Sequence, residues 1–205
     1  MGARHRDLED GGTADAAYTA RLRRLSGARW KRFLDVQRPY RWNLQRLRLG
    51  RVLDLGCGIG RNLAALPGAV GVDHNPTSVA EARVAGFTAW TTREWSTCPD
   101  AVPSSYDTLL VAHVLEHLNG EEARALLREY LPYLKDRSRI VLICPQERGY
   151  ACDATHVRFV DLEQMRSYAR ELGFVPVREY SFPFPRLAGL VFPYNEFVLV
   201  ARRGS

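Results

Sequence analysis

The stretch Arg51-Val-Leu-Asp-Leu-Gly-Cys-Gly-Ile-Gly-Arg-Asn62 constrains this chain more than any other. Val52, Leu53 and Leu55 make a short apolar run that reads as a buried strand. It breaks into Gly56, Gly58 and Gly60, and an apolar stretch of helical character follows. A strand, a glycine turn and a helix start together bring a ligand against bare backbone, because the turn offers N–H groups and no side chains. Glycine also reaches the dihedrals such a turn demands. Dinucleotide sites space their glycines Gly-x-Gly-x-x-Gly. Here the third glycine comes one residue early and Arg61 takes its place, which disfavours a dehydrogenase. An acid, Asp54, stands two residues before the first glycine.

Downstream, strands and helices alternate. Ala69-Val-Gly-Val-Asp73 reads as a second strand, and Asp73 falls about twenty residues beyond the turn, where doubly wound folds place the acid that binds ribose hydroxyls. A carboxylate suits that task because it accepts hydrogen bonds from both hydroxyls of a vicinal diol. Asn75-Pro76 predicts an N-cap with proline at the first helical position, and the helix runs to about Val84 and ends near Gly86. Phe87 to Trp90 predicts a third strand, Tyr106 to Ala112 a fourth, and Arg139 to Cys144 a fifth. Glu121 to Leu134 carries the periodicity of an amphipathic helix, with Leu126, Leu127, Tyr130, Leu131 and Leu134 inward. Asp161-Leu-Glu-Gln164 predicts a capped helix ended by Gly173. Phe174–Phe182 and Asn195–Arg202 read as a closing pair of strands around a proline-rich loop. Such alternation predicts an α/β fold: a Rossmann-like, doubly wound, seven-stranded, mostly parallel sheet with helices on both faces.

The 205 residues fit one domain with a tail over 1–13, where Gly, Asp, Arg and Glu mix without periodicity. Residues 14–50 predict a helical cap, with Tyr18, Leu22, Leu25, Phe33 and Leu34 available for one face and Pro39 a candidate break. The net charge of +6 is almost all arginine, since Lys31 and Lys135 are the only lysines. Many of those arginines fall between 21 and 51, as a nucleic-acid face or the solvated side of a packed helix. Cys57, Cys98, Cys144 and Cys152 form no Cys-x-x-Cys pair, and no apolar run is long enough for a bilayer, so a cytoplasmic setting without membrane contact is expected.

A second constellation lies past the fourth and fifth strands. His113-Val-Leu-Glu116-His117 follows one, and a polar loop from Gln146 to His156 follows the other. Both leave the carboxyl ends of neighbouring strands, where open α/β sheets put their binding crevice. Three histidines and at least one carboxylate therefore converge, and His113, Glu116 and His117 share a face if a helix begins early. The bland alternative is a set of satisfied polar residues with one histidine acting as a base.

Asp-x-Gly-x-Gly-x-Gly at Asp54–Gly60 resembles motif I of the class I S-adenosylmethionine (SAM) methyltransferases. That resemblance implies a SAM pocket built from Asp54, Gly56, Cys57, Gly58, Gly60, Asn62, Asp73, His74, Trp95 and Ala112. Tyr40 and Arg41 would lie over it, and the stretch Thr91–Trp95 would stand near the adenine. His-x-x-Glu-His with a distal His resembles the Glu-x-x-Glu-His plus His metal site of the small-RNA 3′-terminal 2′-O-methyltransferases. The ubiquinone-biosynthesis O-methyltransferases carry its first half. The resemblance implies Glu116, His117 and His156 as metal ligands with His113 beside them, where the relatives have glutamate. These same histidines, His113, His117 and His156, are the candidate catalytic groups. The relatives point to Mg or Mn, while imidazole donors also suit Zn.

A cation and a base suit oxygen chemistry, since an aliphatic hydroxyl is a poor nucleophile near neutral pH and a nitrogen acceptor needs neither. The expected activity is SAM-dependent O-methylation of a hydroxylated small molecule, a saccharide such as a mannoside. An RNA ribose 2′-O-methyltransferase and a catalytically silent SAM-binding module are the alternatives. A homodimer is left open.

Overall fold

The computed structural model describes residues 37–204. The predicted tail, the helix expected up to about Gln37 and the arginines before Arg38 lie outside them. The described part opens on helix α1, Arg38–Arg46, with Pro39 in its first turn, where a missing N–H costs nothing. Strands β1 (Val52–Leu55) and β2 (Val70–Asp73) follow, then α2 (Pro76–Val84), β3 (Ala89–Thr91) and the single turn α3 (Thr92–Trp95). After β4 (Tyr106–Ala112) come α4 (Gly120–Tyr130), β5 (Leu134–Pro145) and α5 (Glu147–Ala151). Helix α6 (Leu162–Glu171), β6 (Phe174–Phe182) and β7 (Glu196–Arg203) complete the chain.

The seven strands form one sheet in the order β3-β2-β1-β4-β5-β7-β6. β1 to β5 pair in parallel, and β7 runs antiparallel to both β5 and β6. The predicted doubly wound, mostly parallel sheet is therefore what forms. Because β1 lies between β2 and β4, the connections leave it in opposite directions, and a crevice opens at the carboxyl ends of those strands.

Local chemistry explains most element ends. Asn75 Oδ1 accepts from the N–H groups of Thr77 and Ser78, and Gly86 (φ +88°) lets the chain leave α2. Asp161 caps α6 by accepting from Gln164 N. Several strand ends shift from the sequence reading, β5 beginning at Leu134 instead of Arg139, and two helices differ more. The chain after the glycine turn forms one 3₁₀ turn, Leu63–Ala65, instead of a helix, because Pro67-Gly68 leaves too few residues to build one. Helix α4 stops at Tyr130, before Pro132, so Leu134 starts β5 instead of ending a helix.

The sheet has an apolar layer on each face. Leu53, Leu55, Leu109, Leu142 and Phe197 pack under α4 and α6, while Val52, Leu110, Val141 and Val198 pack under α1 and α2. Each such fully buried side chain contributes about 1.5–3 kcal/mol. Trp95 belongs to the first layer, 2% exposed, within 5.0–6.3 Å of the Tyr106, Tyr130 and Tyr133 ring centres. The indole is shut into the core at that exposure, so the expected role beside adenine is corrected to a structural one.

Candidate active site

The glycine turn leaves the end of β1 and is tied to β2. The N–H groups of Gly56 and Cys57 donate to Val72 O at 2.7 and 3.2 Å, and Gly58 N donates to Asp73 Oδ2 at 2.7 Å. Gly56 (φ +76°) and Gly60 (φ +87°) occupy the left-handed region. A Cβ on Gly56 would overlap the Val114 side chain, and one on Gly60 would overlap the Phe87 ring. Gly56 thus touches the loop after β4, which brings the two sequence motifs to one crevice.

Asp73 stands at the end of β2, 7% exposed, and its other oxygen accepts from Asn75 N at 2.8 Å. His74 is exposed beside it, Nδ1 lying 3.5 Å from Asp73 Oδ1. Asp54 is fully buried beneath the turn, where Oδ1 accepts from Asn62 Nδ2 at 3.2 Å and Oδ2 has no hydrogen-bond partner. Burial, opposed by the Asn62 hydrogen bond and aided by the charge of Asp73, pushes the Asp54 carboxyl up to about 7. Burial likewise raises the pKa of the Cys57 thiol. Ala112 closes β4 at the same end of the sheet. On the far wall Tyr40 donates from its hydroxyl to Tyr194 O at 2.7 Å and packs edge-on against Phe182, while Arg41 is half-buried on α1. Tyr194 belongs to a rim, with Phe184, Leu187, Leu190 and Val191, that is exposed and apolar. This rim hangs from the end of β7 opposite Pro145, hence at the crevice end of β5.

Glu116 lies in a 3₁₀ turn, Leu115–His117, instead of on the early helix that the spacing suggested. Its carbonyl accepts from the N–H groups of Val157 and Arg158 at 2.9 and 3.2 Å, which stitches the two loops together. Its carboxylate is 0% exposed, and neither oxygen accepts a hydrogen bond of good geometry. His113 Nδ1 lies 3.3 Å from its Oε1, and the pKa of the Cys144 thiol is raised first by burial and then by Glu116 and Glu196. One ligand atom each from Glu116, His117 and His156 lies within 4.8 Å of the others. His156 Nδ1 is 2.8 Å from Tyr150 O, and His117 Nδ1 is 3.1 Å from Thr155 O. A carbonyl only accepts, so both Nδ1 atoms donate, the arrangement that leaves Nε2 of a neutral ring free to face a ligand. Burial lowers the His117 pKa, partly countered by Glu116, which keeps that ring neutral.

His113 takes a different part. It sits at φ +58° after β4, with Nε2 2.8 Å from Glu196 Oε1 and Nδ1 facing Glu116. Desolvation opposes its charge, but the Glu116 and Glu196 carboxylates against its two nitrogens outweigh it and push the ring up to about 10. Both ring nitrogens are thus turned to carboxylates, and the ligand atoms that converge are those of Glu116, His117 and His156, so the structure does not bring His113 into the expected ligand set. Glu196, whose carboxylate fixes His113, was invisible in the sequence because it comes from β7, 83 residues away. Tyr150 and Thr155, whose carbonyls orient the histidines, carry no signal in their side-chain identities.

Part of the basic N-terminal run turns inward. Arg46 stacks on Trp42, Tyr180 and Phe182, and Arg51 pairs with Asp100 and stacks on Tyr106.

The sheet order, the glycine turn at the end of β1 and the acid at the end of β2 define the class I methyltransferase fold. Residues 53–140 match the family model described as a methyltransferase domain. Among solved structures the chain is similar to a SAM-dependent methyltransferase from Archaeoglobus fulgidus, at 20% identity over 92% of this chain and 100% of that one, TM-score 0.68. Magnesium protoporphyrin IX methyltransferase from Synechocystis PCC 6803 with bound S-adenosylhomocysteine is 21% identical, covering 94% of this chain and 97% of its own, TM-score 0.64. A possible histamine N-methyltransferase from Thermotoga maritima is 16% identical over 91% and 99%, TM-score 0.62. No curated protein matches the chain in sequence. Among the described residues no helix is long and apolar enough to cross a membrane.

Proposed function

We propose that this chain is a SAM-dependent O-methyltransferase that holds a divalent cation on Glu116, His117 and His156 and methylates a hydroxyl of a saccharide or similar small molecule. The domain match and the fold support SAM-dependent methyl transfer in general. The similar structures include a magnesium protoporphyrin IX methyltransferase and a possible histamine N-methyltransferase, so they do not choose the acceptor. The oxygen-directed reading rests on one observation. A fully buried carboxylate without a hydrogen bond of good geometry stands beside two imidazoles, each with its other nitrogen fixed to a carbonyl. A buried carboxylate that no well-formed hydrogen bond satisfies is costly even with His113 3.3 Å away, and histidines oriented in this way are the usual partners of a metal.

When bound, SAM supplies a methyl group already activated by the sulfonium. When bound, a divalent cation polarises hydroxyl oxygens and lowers the cost of deprotonating them. The remaining work belongs to the chain. Gly56, Gly58 and Gly60 leave the backbone bare for the cofactor, and Asp73 has lone pairs left for ribose hydroxyls. His113, held by Glu196, presents Nδ1 to Glu116 Oε1 at 3.3 Å and fixes the position of that side chain. Two nitrogens and one carboxylate suit Mn or Zn better than Mg, which prefers an all-oxygen shell.

A metal-free site is the second reading, favoured by the neutral His117 ring, whose free lone pair can take the acceptor's proton. The compact, arginine-rich chain also resembles the mycobacterial 1-O-methyltransferase of methylmannose polysaccharide synthesis, which makes mannosides the first acceptors to try. The test is transfer of labelled methyl from SAM to a panel of mannosides, other sugars and RNA oligomers, with the product bond identified. A sugar methyl ether supports the reading. Methylation of RNA alone, with steep salt dependence, replaces the saccharide by a ribose, and a methylated nitrogen refutes it.

A further inference from the structure

Away from the crevice, the opposite end of the sheet gathers several arginines around few acids among the described residues. The amino-terminal part of β5 and the end of β7 enclose a recess of about 410 Å³ lined by Arg137, Ser138, Arg139, Arg202 and Arg203. β5 and β7 are antiparallel, and Arg139 stands directly opposite Arg202. Like charges in that position destabilise a sheet unless something neutralises them. Burial, followed by the charge of Arg202, depresses the Arg139 pKa. Asp107 is the acid that counters Arg139, but its carboxylate is already committed to Lys135 Nζ at 2.8 Å and Arg51 N at 2.8 Å.

The donors divide clearly. Arg139 gives two N–H groups to the carbonyls of Leu47 and Arg48, and Arg203 gives one to Lys135 O. Among the described residues no carboxylate pairs with Arg137 or Arg202. Ser138 lines the same recess, 1% exposed, and its buried hydroxyl has no hydrogen-bond partner. Buried hydroxyls are normally satisfied, and one that is not calls for a ligand or a water.

We propose that this recess is an anion site for a phosphate-type oxyanion, either pyrophosphate or the phosphate monoester of a small molecule. Planar guanidinium forks match phosphoryl oxygens two at a time, which a single halide cannot exploit. A recess of this volume holds one or two phosphoryl groups. It lies at the amino ends of the parallel strands, so its ligand is distinct from the methyl acceptor.

The test uses the full chain at low ionic strength. Inorganic pyrophosphate and a sugar monophosphate are titrated by calorimetry, with thermal stability followed in parallel and sodium chloride at matched ionic strength as the control. Pyrophosphate or the monoester is expected to bind and to raise Tm beyond the chloride control, and the tighter of the two names the source. The double variant Arg137→Ala/Arg202→Ala, which removes no described hydrogen bond or ion pair, should fold normally and bind at least tenfold more weakly. Ser138→Ala should weaken binding severalfold. Equal binding by the double variant, or a chloride control that reproduces the whole stabilisation, overturns the site.

Discussion

Replacing Glu116 by glutamine separates a metal ligand from an ordinary buried carboxylate. The substitution keeps the shape and removes the one negative donor among the three groups that lie within 4.8 Å of each other. A cation that binds only the native state stabilises it by about 2.7 kcal/mol at one hundred times its Kd. In a chain of 205 residues each kcal/mol moves Tm by roughly 2–4 °C, so the loaded wild type should gain about 5–10 °C. Glu116→Gln should lose nearly all of that gain. Without metal, the variant should lie within about 1–2 kcal/mol of wild type, since it loses a buried charge along with its His113 contact, while His113 keeps Glu196. The assay is scanning calorimetry on chelator-stripped protein titrated with Mn, Zn and Mg, and Mn or Zn should shift Tm more than Mg. An identical metal-induced shift in wild type and Glu116→Gln would refute the ligand assignment, as would a wild type that no cation stabilises.

Three further outcomes follow from the same geometry. Gly56→Ala places a Cβ onto Val114 at φ +76°, whereas Gly68→Ala adds one in open space at the same φ. Urea unfolding should therefore show a loss of about 1–2 kcal/mol for Gly68→Ala from backbone strain alone and clearly more for Gly56→Ala; equal losses would mean that Val114 moves freely aside. Asp54, raised to about 7 from an unfolded value near 3.8, holds its proton longer in the native state, so its contribution to stability falls as pH rises from about 4 to about 7. Relative to wild type, Asp54→Asn should gain on the order of a few kcal/mol between pH 4 and pH 8, and a pH-independent difference by denaturant titration contradicts the buried acid. Trp95→Ala should cost about 3–5 kcal/mol of stability while leaving the SAM affinity of the folded protein, measured by calorimetry, within twofold; a selective loss of affinity restores the indole to the pocket.

What could be read from the sequence was what is decided locally. Val52 to Leu55 followed by alternating glycines specifies a strand and a turn whatever the rest of the chain does, and Asn75-Pro76 specifies a helix start. Asp73 falls at a strand end for the same reason. Glu116, His117 and His156 could be named because two strand ends deliver them to one side of the sheet. The rest depended on contacts between distant segments. Nothing near Trp95 announces that Tyr106, Tyr130 and Tyr133 will enclose it. His113 looked like a fourth ligand by spacing, yet Glu196, arriving from β7, takes hold of its Nε2. The helix expected after the glycine turn failed because Pro67-Gly68 follows too soon. No local pattern joins the arginines of β5 and β7, and only the antiparallel register sets Arg139 against Arg202.

The most direct test of the functional account is methyl transfer from SAM to a hydroxylated acceptor with the cation first removed and then restored. Activity should vanish in chelator, return with Mn or Zn, and be lost in His156→Ala with SAM affinity retained. Full turnover in chelator, on a metal-free enzyme that still methylates the sugar hydroxyl, would contradict it and leave His117 as the base.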